Sequence, residues 1–266
     1  MTNSLLTTRQ GAVMTVTMNR PDQLNILGEP GDGDAFRKVF EDINKDRTIK
    51  CVIFTGAGRA FSAGGNVKDM RDRENLFAGS EADIADNYRN NVHEIVRSIW
   101  HCAVPVIAAV NGPAVGLGHD VSGLCDIRLA GQSAKFGSTF LKIGLIPGDG
   151  GSWILPQNIG ASRAAEMLYT ARIIDAQTAL SWGLVSEVYP DEELLAAAEE
   201  MAAKIISQPT AALRATKKLL RSAKTPELDA ALEMAAVEQA KLHVTDDHLE
   251  AVTAFIEKRP PQFSDS

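Results

Sequence analysis

Residues 105–126, PVIAAVNGPAVGLGHDVSGLCD, constrain the fold of this chain more than any other stretch. Residues 106–110 form an apolar run with the length and composition of a buried strand. Glycine-containing turns follow at residues 111–113 and 116–118, and residues 119–124 are typical of a helix that begins near Gly118. A helix N-terminus presents unpaired N–H groups and partial positive charge. The stretch therefore predicts a strand, a turn that attracts negative charge, and a helix.

Such a turn either holds a phosphate or polarises a carbonyl group, and the sequence favours the carbonyl. A P-loop requires Gly-x4-Gly-Lys-Ser/Thr, which this sequence lacks. A dinucleotide fingerprint requires a third glycine where Val121 stands. Polarising a carbonyl takes a second N–H donor, and residues 60–67 are the candidate, because they follow another apolar strand at residues 51–55 and lead into another helix. The two strand–glycine–helix units could point two N–H groups at one oxygen atom.

These glycine-rich segments resemble those of the crotonase superfamily, also called the enoyl-CoA hydratase/isomerase family. Residues 61–68 resemble its F-x-A-G-x-D-x-K motif, residues 111–118 its N-G-x-A-x-G-G-G motif, and residues 125–130 its C-D-I-x-x-A strand. Further matches extend in order along nearly the whole chain. The resemblance implies an α/β fold, a crotonase/ClpP-like spiral of β-β-α units with a C-terminal α-helical trimerisation region. Residues 1–205 would form the catalytic core and residues 206–266 the helical region.

The resemblance also implies which residues bind the substrate. The backbone N–H groups of Gly65 and Leu117 would form an oxyanion hole. Much of the family has glycine where this chain has Leu117, and the donor survives if the local φ suits a residue with a Cβ. The candidate substrate-binding residues are Gln23, Leu24, Ala63, Gly64, Val67, Lys68 and Phe140. Lys68 would meet the CoA phosphates. A basic helix face is either a second group of CoA contacts or an ordinary solvated surface, and it comprises Arg214, Lys217, Lys218 and Arg221.

The acid–base positions depart from the family pattern. Family hydratases use two glutamates; the first position falls on Asp120, which keeps a shorter carboxylate, and the second on Phe140, which cannot transfer a proton. Asp149, within Pro-Gly-Asp-Gly-Gly at residues 147–151, is expected to compensate, because a buried loop carboxyl group has a raised pKa and can act as acid or base. Two alternatives stay open: Asp149 caps the helix that begins near residues 150–152, and Asp120 is a structural carboxylate.

Three functions follow from these residues. The leading hypothesis is a hydratase-like lyase, or an isomerase of the same group, that acts on an acyl-CoA thioester with Asp120 and Asp149 moving protons. The second is hydrolysis of a β-dicarbonyl carbon–carbon bond by Asp149, because Pro-Gly-Asp-Gly resembles a branch of the family with that activity. The third is an acyl-CoA-binding protein with little catalysis, motivated by Phe140. Coenzyme A enters as part of the substrate, and we expect no separate cofactor and no metal.

Charge and cysteine content limit the partners and the compartment. A net charge of −7 argues against nucleic acid and against an anionic membrane surface. The three cysteines lack paired spacing and predict reduced core thiols, so we expect a cytoplasmic protein. The sequence shows neither a signal-peptide pattern nor an apolar run near the ~20 residues that span a bilayer. The family resemblance implies a homotrimer or a dimer of trimers.

Overall fold

The computed structural model describes residues 4–208, 210–222 and 228–262. Its strands are β1 (Leu5–Gln10), β2 (Val13–Met18), β3 (Cys51–Gly56), β4 (Val106–Val110), β5 (Pro113–Val115), β6 (Ile127–Gly131), β7 (Lys135–Gly137), β8 (Ile173–Asp175) and β9 (Glu187–Tyr189). Its helices are α1 (Asp32–Lys45), α2 (Val67–Asp72), α3 (Glu81–Asn87), α4 (His93–Trp100), α5 (Leu117–Leu124), α6 (Gly151–Ile159), α7 (Ala161–Thr170), α8 (Ala176–Ser181), α9 (Leu194–Ile206), α10 (Thr210–Ser222), α11 (Leu228–His243) and α12 (Asp246–Glu257). A π-helical turn at Tyr88–Val92 joins α3 to α4.

A six-stranded sheet with the order β1-β2-β3-β4-β6-β9 forms the centre of the fold. The hairpin of β1 and β2 is antiparallel, and every pair from β2 onward is parallel. The central strands β3 and β4 are covered on both faces, which explains why they are continuous apolar runs. Because these strands are parallel, their carboxyl ends meet at one edge, and both glycine turns leave the sheet there.

A second, three-stranded sheet with the order β5-β7-β8 extends from that edge. Strand β5 pairs in parallel with β7, and β7 pairs antiparallel with β8. The sequence does not predict β5, because it has three residues and begins with Pro113, which cannot donate to a ladder. The residues around Ser62 run parallel to β5 through a bridge with Ala114. This bridge brings the two glycine-rich segments together.

The C-terminal helices pack back on the body of the fold. Helix α9 covers one face of the central sheet with Leu194, Ala198 and Ala202. Helix α11 packs against α3, and α12 packs against α2 and the turn at Phe140–Ile143. Helix α9 ends at Ile206, near the expected boundary at residue 205, and the division into two domains stays a prediction. Among the helices of the described residues, none combines the length and the apolar character that a bilayer crossing requires.

Candidate active site

The two glycine-rich segments lie side by side at the carboxyl edge of β3 and β4. The Ser62 N–H donates to the Pro113 carbonyl at 3.0 Å, and the Val115 N–H donates to the Ser62 carbonyl at 2.9 Å. The two segments approach each other so closely at Gly64 that a Cβ there would lie 2.7 Å from the Val115 carbonyl oxygen and 3.2 Å from the Leu117 nitrogen. Gly64 also has a φ of +85°, which side chains rarely adopt. The segments that the motifs paired therefore meet in the structure.

The backbone N–H groups of Gly65 and Leu117 donate to no acceptor within the described part of the chain. Leu117 is the first residue of α5, where N–H groups have no acceptor inside the helix. The unusual backbone falls one residue earlier, at Gly116, with φ 55° and ψ −127°. Leu117 is not among the residues with positive φ. A side chain is therefore tolerated at residue 117, and the backbone donor is kept.

A cavity of about 200 Å³ opens at the junction of the two segments. Its wall includes Ala63, Gly65, Val67, Gly116, Phe140 and Phe255. The sequence predicts four of these as site residues: Ala63, Gly65, Val67 and Phe140. The Phe140 ring lies against the second glycine turn, since a Cβ on Gly116 would be 3.7 Å from Phe140 Cζ. Both turns and one aromatic ring thus border a space that suits an acyl group.

Two backbone hydrogen bonds dock the loop after β2 onto the first glycine segment. The Ala63 N–H donates to the Leu24 carbonyl, and the Leu27 N–H donates to the Gly64 carbonyl, both at 2.9 Å. This places Leu24 beside the cavity wall, and the neighbouring Gln23 is exposed. Lys68, also exposed, lies in the first turn of α2. Gln23 and Lys68 are therefore open to a ligand, whereas Leu24 is half-buried and Gly64 is buried between the segments.

Asp120, on α5, is a buried carboxyl group without a hydrogen-bond partner. It is 1% exposed, and neither of its oxygens has a partner among the residues that the structure describes. Burial raises the pKa of Asp120 well above 3.8, repulsion from Asp149 raises it further, and the nearby Gly151 backbone acts in the opposite direction. Helix α6 starts so close that a Cβ on Gly151 would lie 2.3 Å from Asp120 Oδ2. An unpartnered buried carboxyl group destabilises the fold, and among the described residues Asp120 makes none of the hydrogen bonds expected of a structural carboxylate.

Asp149 lies two residues before the start of α6 and is 4% exposed. Burial raises its pKa from 3.8 to about 7. The N-cap of α6 is the left-handed Gly150, and no side chain makes a capping hydrogen bond there. The alternative that Asp149 caps this helix is therefore wrong. Because Asp149 and Asp120 repel each other in a buried site, the pair favours one negative charge and one proton near neutral pH.

A larger cavity of about 600 Å³ lies at the opposite end of β4 and is lined by the basic face of α10. Lys217 is buried there and bonds to the Val104 carbonyl at 2.7 Å and the Asp126 carboxylate at 2.8 Å. Arg221 also pairs with Asp126, and Arg214 donates to carbonyls at the end of α1. These three cations hold α10 against the body. These three residues are thus packing contacts, while the fourth, Lys218, is exposed, and none of the four lines the cavity at the glycine turns.

No motif pointed to Phe255, which reaches the cavity wall from α12. Its side chain is 55% exposed, so it forms part of the rim. An apolar residue on a helical tail is ordinarily a packing residue, and its place at the site depends on how α12 packs on α2. The sequence contains no signal for that long-range contact.

Comparisons with known proteins agree with this architecture. A profile of the family described as enoyl-CoA hydratase/isomerase matches residues 8–266. A 1,2-epoxyphenylacetyl-CoA isomerase from Escherichia coli (strain K12) is 36% identical over 252 residues, which cover 95% of each chain. A short-chain-enoyl-CoA hydratase from Clostridium acetobutylicum is 34% identical over 261 residues, 97% of this chain and 96% of that one. The crystal structure of an enoyl-CoA hydratase from Mycobacterium avium subsp. paratuberculosis K-10 matches with a TM-score of 0.84 and 35% identity, over 98% of this chain and 99% of that chain. The crotonase fold expected from the sequence is confirmed.

Proposed function

Because the chain belongs to the enoyl-CoA hydratase/isomerase family, we propose that it adds water to the carbon–carbon double bond of an enoyl-CoA thioester. One arrangement carries the proposal. The backbone N–H groups of Gly65 and Leu117 have no acceptor among the described residues; Gly65 and Gly116, the residue before Leu117, line one cavity. Two buried carboxyl groups, Asp120 and Asp149, lie on the adjoining elements. The two N–H groups suit a thioester oxygen, and the two carboxyl groups suit proton transfer.

The two N–H groups would bind the thioester oxygen as negative charge develops on it. Water addition to an enoyl thioester passes through an enolate, so this oxygen is more negative in the transition state than in the substrate. Preorganised donors stabilise that charge, and removing one costs roughly 3–4 kcal/mol in comparable enzymes. The start of α5 adds a partial positive charge at Leu117.

The carboxyl pair of Asp120 and Asp149 would act as base and acid in one cycle. The ionised carboxyl group takes a proton from water while the water oxygen bonds to the β-carbon. The electrons of the double bond move toward the thioester carbonyl and form the enolate. The protonated carboxyl group then gives its proton to the α-carbon. The pair again holds one proton, and a pKa of about 7 at Asp149 suits this exchange at neutral pH.

A panel of candidate substrates tests the proposal. The panel contains 2-enoyl and 3-enoyl thioesters of several chain lengths and one cyclic β-diketone, and mass spectrometry follows the products in heavy-oxygen water. Water addition to a 2-enoyl thioester incorporates one heavy oxygen. Turnover of the diketone alone would favour carbon–carbon bond hydrolysis. Tight binding without any turnover would favour an acyl-CoA-binding protein and would contradict the proposal.

Double-bond migration is the second candidate, and Phe140 favours it. An isomerase moves one proton from one carbon to another and needs no bound water. The aromatic ring at the second hydratase position removes a group that would hold water, while the buried carboxyl pair can still move a proton. In deuterated water an isomerase would convert a 3-enoyl thioester to its 2-enoyl isomer, with at most deuterium exchange and no added oxygen. If the panel showed this conversion and no water addition, double-bond migration would replace hydration as the proposed reaction.

Recognition of coenzyme A and subunit assembly belong to the same proposal. Lys68 would contact the CoA phosphates, and Gln23 and Leu24 would flank the cofactor portion of the substrate. A homotrimer or a dimer of trimers is supported by large apolar side chains exposed on α10, where Leu219 is 70% and Leu220 63% exposed. Light scattering coupled to gel filtration measures the mass of the assembly, and a monomer would contradict this part.

A further inference from the structure

The segment that leads to Asp149 is tied to the C-terminal helices by a chain of buried hydrogen bonds. The Ile146 N–H donates to Gln239 Oε1 at 3.1 Å, and Gln239 Nε2 donates to the Tyr88 hydroxyl at 3.1 Å. Tyr88 in turn lies 3.0 Å from His243 Nε2. The chain continues from His243 Nδ1 to His248 Nε2 at 3.0 Å and ends at 2.5 Å between His248 Nδ1 and the Ile143 carbonyl. It therefore starts and ends on the backbone of one short segment, 143–146.

The donors and acceptors allow the hydrogen bonds of this chain to run in one direction only. A carbonyl oxygen accepts, so His248 carries its proton on Nδ1 and accepts at Nε2. His243 must then donate from Nδ1 and accept at Nε2, and Tyr88 must donate to it. The tyrosine oxygen is left to accept from Gln239. Burial lowers the pKa of both histidines and keeps them neutral, as this arrangement requires.

The members of the chain are buried and far apart in sequence. Gln239 is 0% and Tyr88 3% exposed, and they are separated by about 150 residues. Tyr88 lies at the start of the π-helical turn between α3 and α4, a type of turn that is frequent at functional sites. Buried polar groups are costly unless every partner is in place, so a fully bonded chain fixes one arrangement of the elements that it joins.

Contacts at the next residues extend this anchoring to Asp149. A Cβ on Gly148 would lie 3.0 Å from Gln239 Cδ, so the segment packs directly on that side chain. His93 Nε2 donates to the Gly148 carbonyl at 3.0 Å, a second contact that holds the segment. The Asp149 charge also acts on Tyr88, whose pKa it raises after the larger effect of burial. Tyr88 is thus near the Asp149 carboxyl group, and it also bonds to Gln239, which anchors the segment.

We propose that Tyr88 and Gln239 are positioning residues for Asp149, and that α11 and α12 complete the active site of their own subunit through this chain. The inference rests on the proposed function, in which Asp149 transfers a proton. It gives the helical region a catalytic role in addition to subunit contacts. The hydrogen-bond chain holds the Asp149 carboxyl group away from bulk solvent and close enough to Asp120 for the two charges to interact.

The substitution Tyr88→Phe removes one hydroxyl group and interrupts the chain at its middle. We expect kcat to fall about 100-fold, the cost of a displacement of about 1 Å, with KM little changed. The limb of the kcat profile near pH 7 should move to lower pH, because a loosened segment admits water and burial is what raises the pKa of Asp149. The other ionisable groups around this segment are Asp120 from α5, His93 from α4, His243 from α11 and His248 from α12, and none of them is altered.

Tyr169→Phe is the matched control, because it removes the same hydroxyl group from a side chain that is 80% exposed. It should leave kcat, KM and the pH limb unchanged. Gln239→Leu breaks the chain next to the segment and should resemble Tyr88→Phe. The double variant should be no slower than the slower single variant, since one break already interrupts the chain. Losses that multiply in the double variant would overturn the idea of a single chain.

Hydrogen–deuterium exchange of the peptide that covers residues 143–151 provides a measurement without turnover. Exchange should be faster in Tyr88→Phe and Gln239→Leu than in the parent protein and in Tyr169→Phe. A lower melting temperature with unchanged kcat and an unchanged pH limb would make the chain purely structural and overturn the proposal. If the parent protein converts no thioester, the proposed function fails, and the exchange rates alone decide: unchanged rates would refute the anchoring, and faster rates would support it.

Discussion

Replacing Asp149 with asparagine should stabilise the protein and inactivate it at the same time. The change keeps the shape of the side chain and removes its charge and its ability to transfer a proton. Loss of a general acid–base group lowers the rate by typically 10²–10⁴-fold. The gain in stability comes from the same burial that prepares the carboxyl group for catalysis, because a buried carboxylate is poorly solvated.

The size and the sign of this gain follow from the pKa of Asp149, which burial raises from 3.8 to about 7. Between these two pKa values, from pH 3.8 to about pH 7, the folded protein keeps a proton on Asp149 that the unfolded chain releases. The free energy of unfolding of the parent protein therefore falls as the pH rises through this window, and it levels off above about 7. Each pH unit is worth about 1.4 kcal/mol, so the parent loses about 3 kcal/mol between about pH 5 and pH 7. Asp149→Asn does not titrate and avoids that loss.

Urea unfolding at about pH 5 and about pH 8, followed by tryptophan fluorescence, measures the difference. Trp153 on α6 packs edge-to-face on Trp100 at 4.9 Å and reports on this region. The advantage of Asp149→Asn over the parent should be about 3 kcal/mol larger at the higher pH, at equal protein concentration. Asp22→Asn, at an exposed carboxyl group, should show no such change. An equal advantage of Asp149→Asn at both pH values would refute the claim that Asp149 titrates in a buried site.

The remaining predictions concern the oxyanion donor and the CoA contact. Leu117→Pro removes the backbone N–H at the first position of α5, where proline fits a helix, so kcat should fall roughly 10²–10³-fold in a folded protein. The matched control is Ala161→Pro, at the first position of α7 after another positive-φ glycine, and it should keep full activity. An active Leu117→Pro variant would contradict the two-donor site. Lys68→Ala should raise KM about 5-fold, the equivalent of ~1 kcal/mol for one exposed ionic contact, with kcat unchanged. That effect should shrink at high salt, whereas Lys135→Ala, at another exposed lysine, should leave KM unchanged; a salt-independent loss of kcat would contradict the assignment of Lys68.

The part of the site that lies within continuous motifs could be predicted from the sequence. Residues 60–67 and 111–118 each follow a buried parallel strand, and neighbouring parallel strands end at one edge, so their meeting follows from local patterns. The role of Asp149 could not be settled in the same way, because a carboxyl group near a helix start is also a common cap. What decides between the two is the left-handed conformation of Gly150, which takes the capping position and leaves the aspartate outside the helix. Gly150 also lies against α11, where a Cβ would be 3.5 Å from Leu232 Cδ2, and the sequence contains no signal for that long-range contact.

The contribution of the helical region lies beyond what local patterns can predict. Tyr88 and His243 are 155 residues apart, and each lies in a helical stretch in which a polar residue has no distinctive spacing. The docking of α11 on α3 and on the π-helical turn brings them together. The physical reason for such an anchor is visible at the carboxyl pair itself. Asp120 and Asp149 are buried with few compensating partners, so the local structure would relax toward solvating them unless other contacts opposed it. A fully bonded chain of hydrogen bonds opposes this relaxation, and it runs from Ile146 through two C-terminal helices and back to Ile143. It adds no charge that would lower the pKa of either carboxyl group.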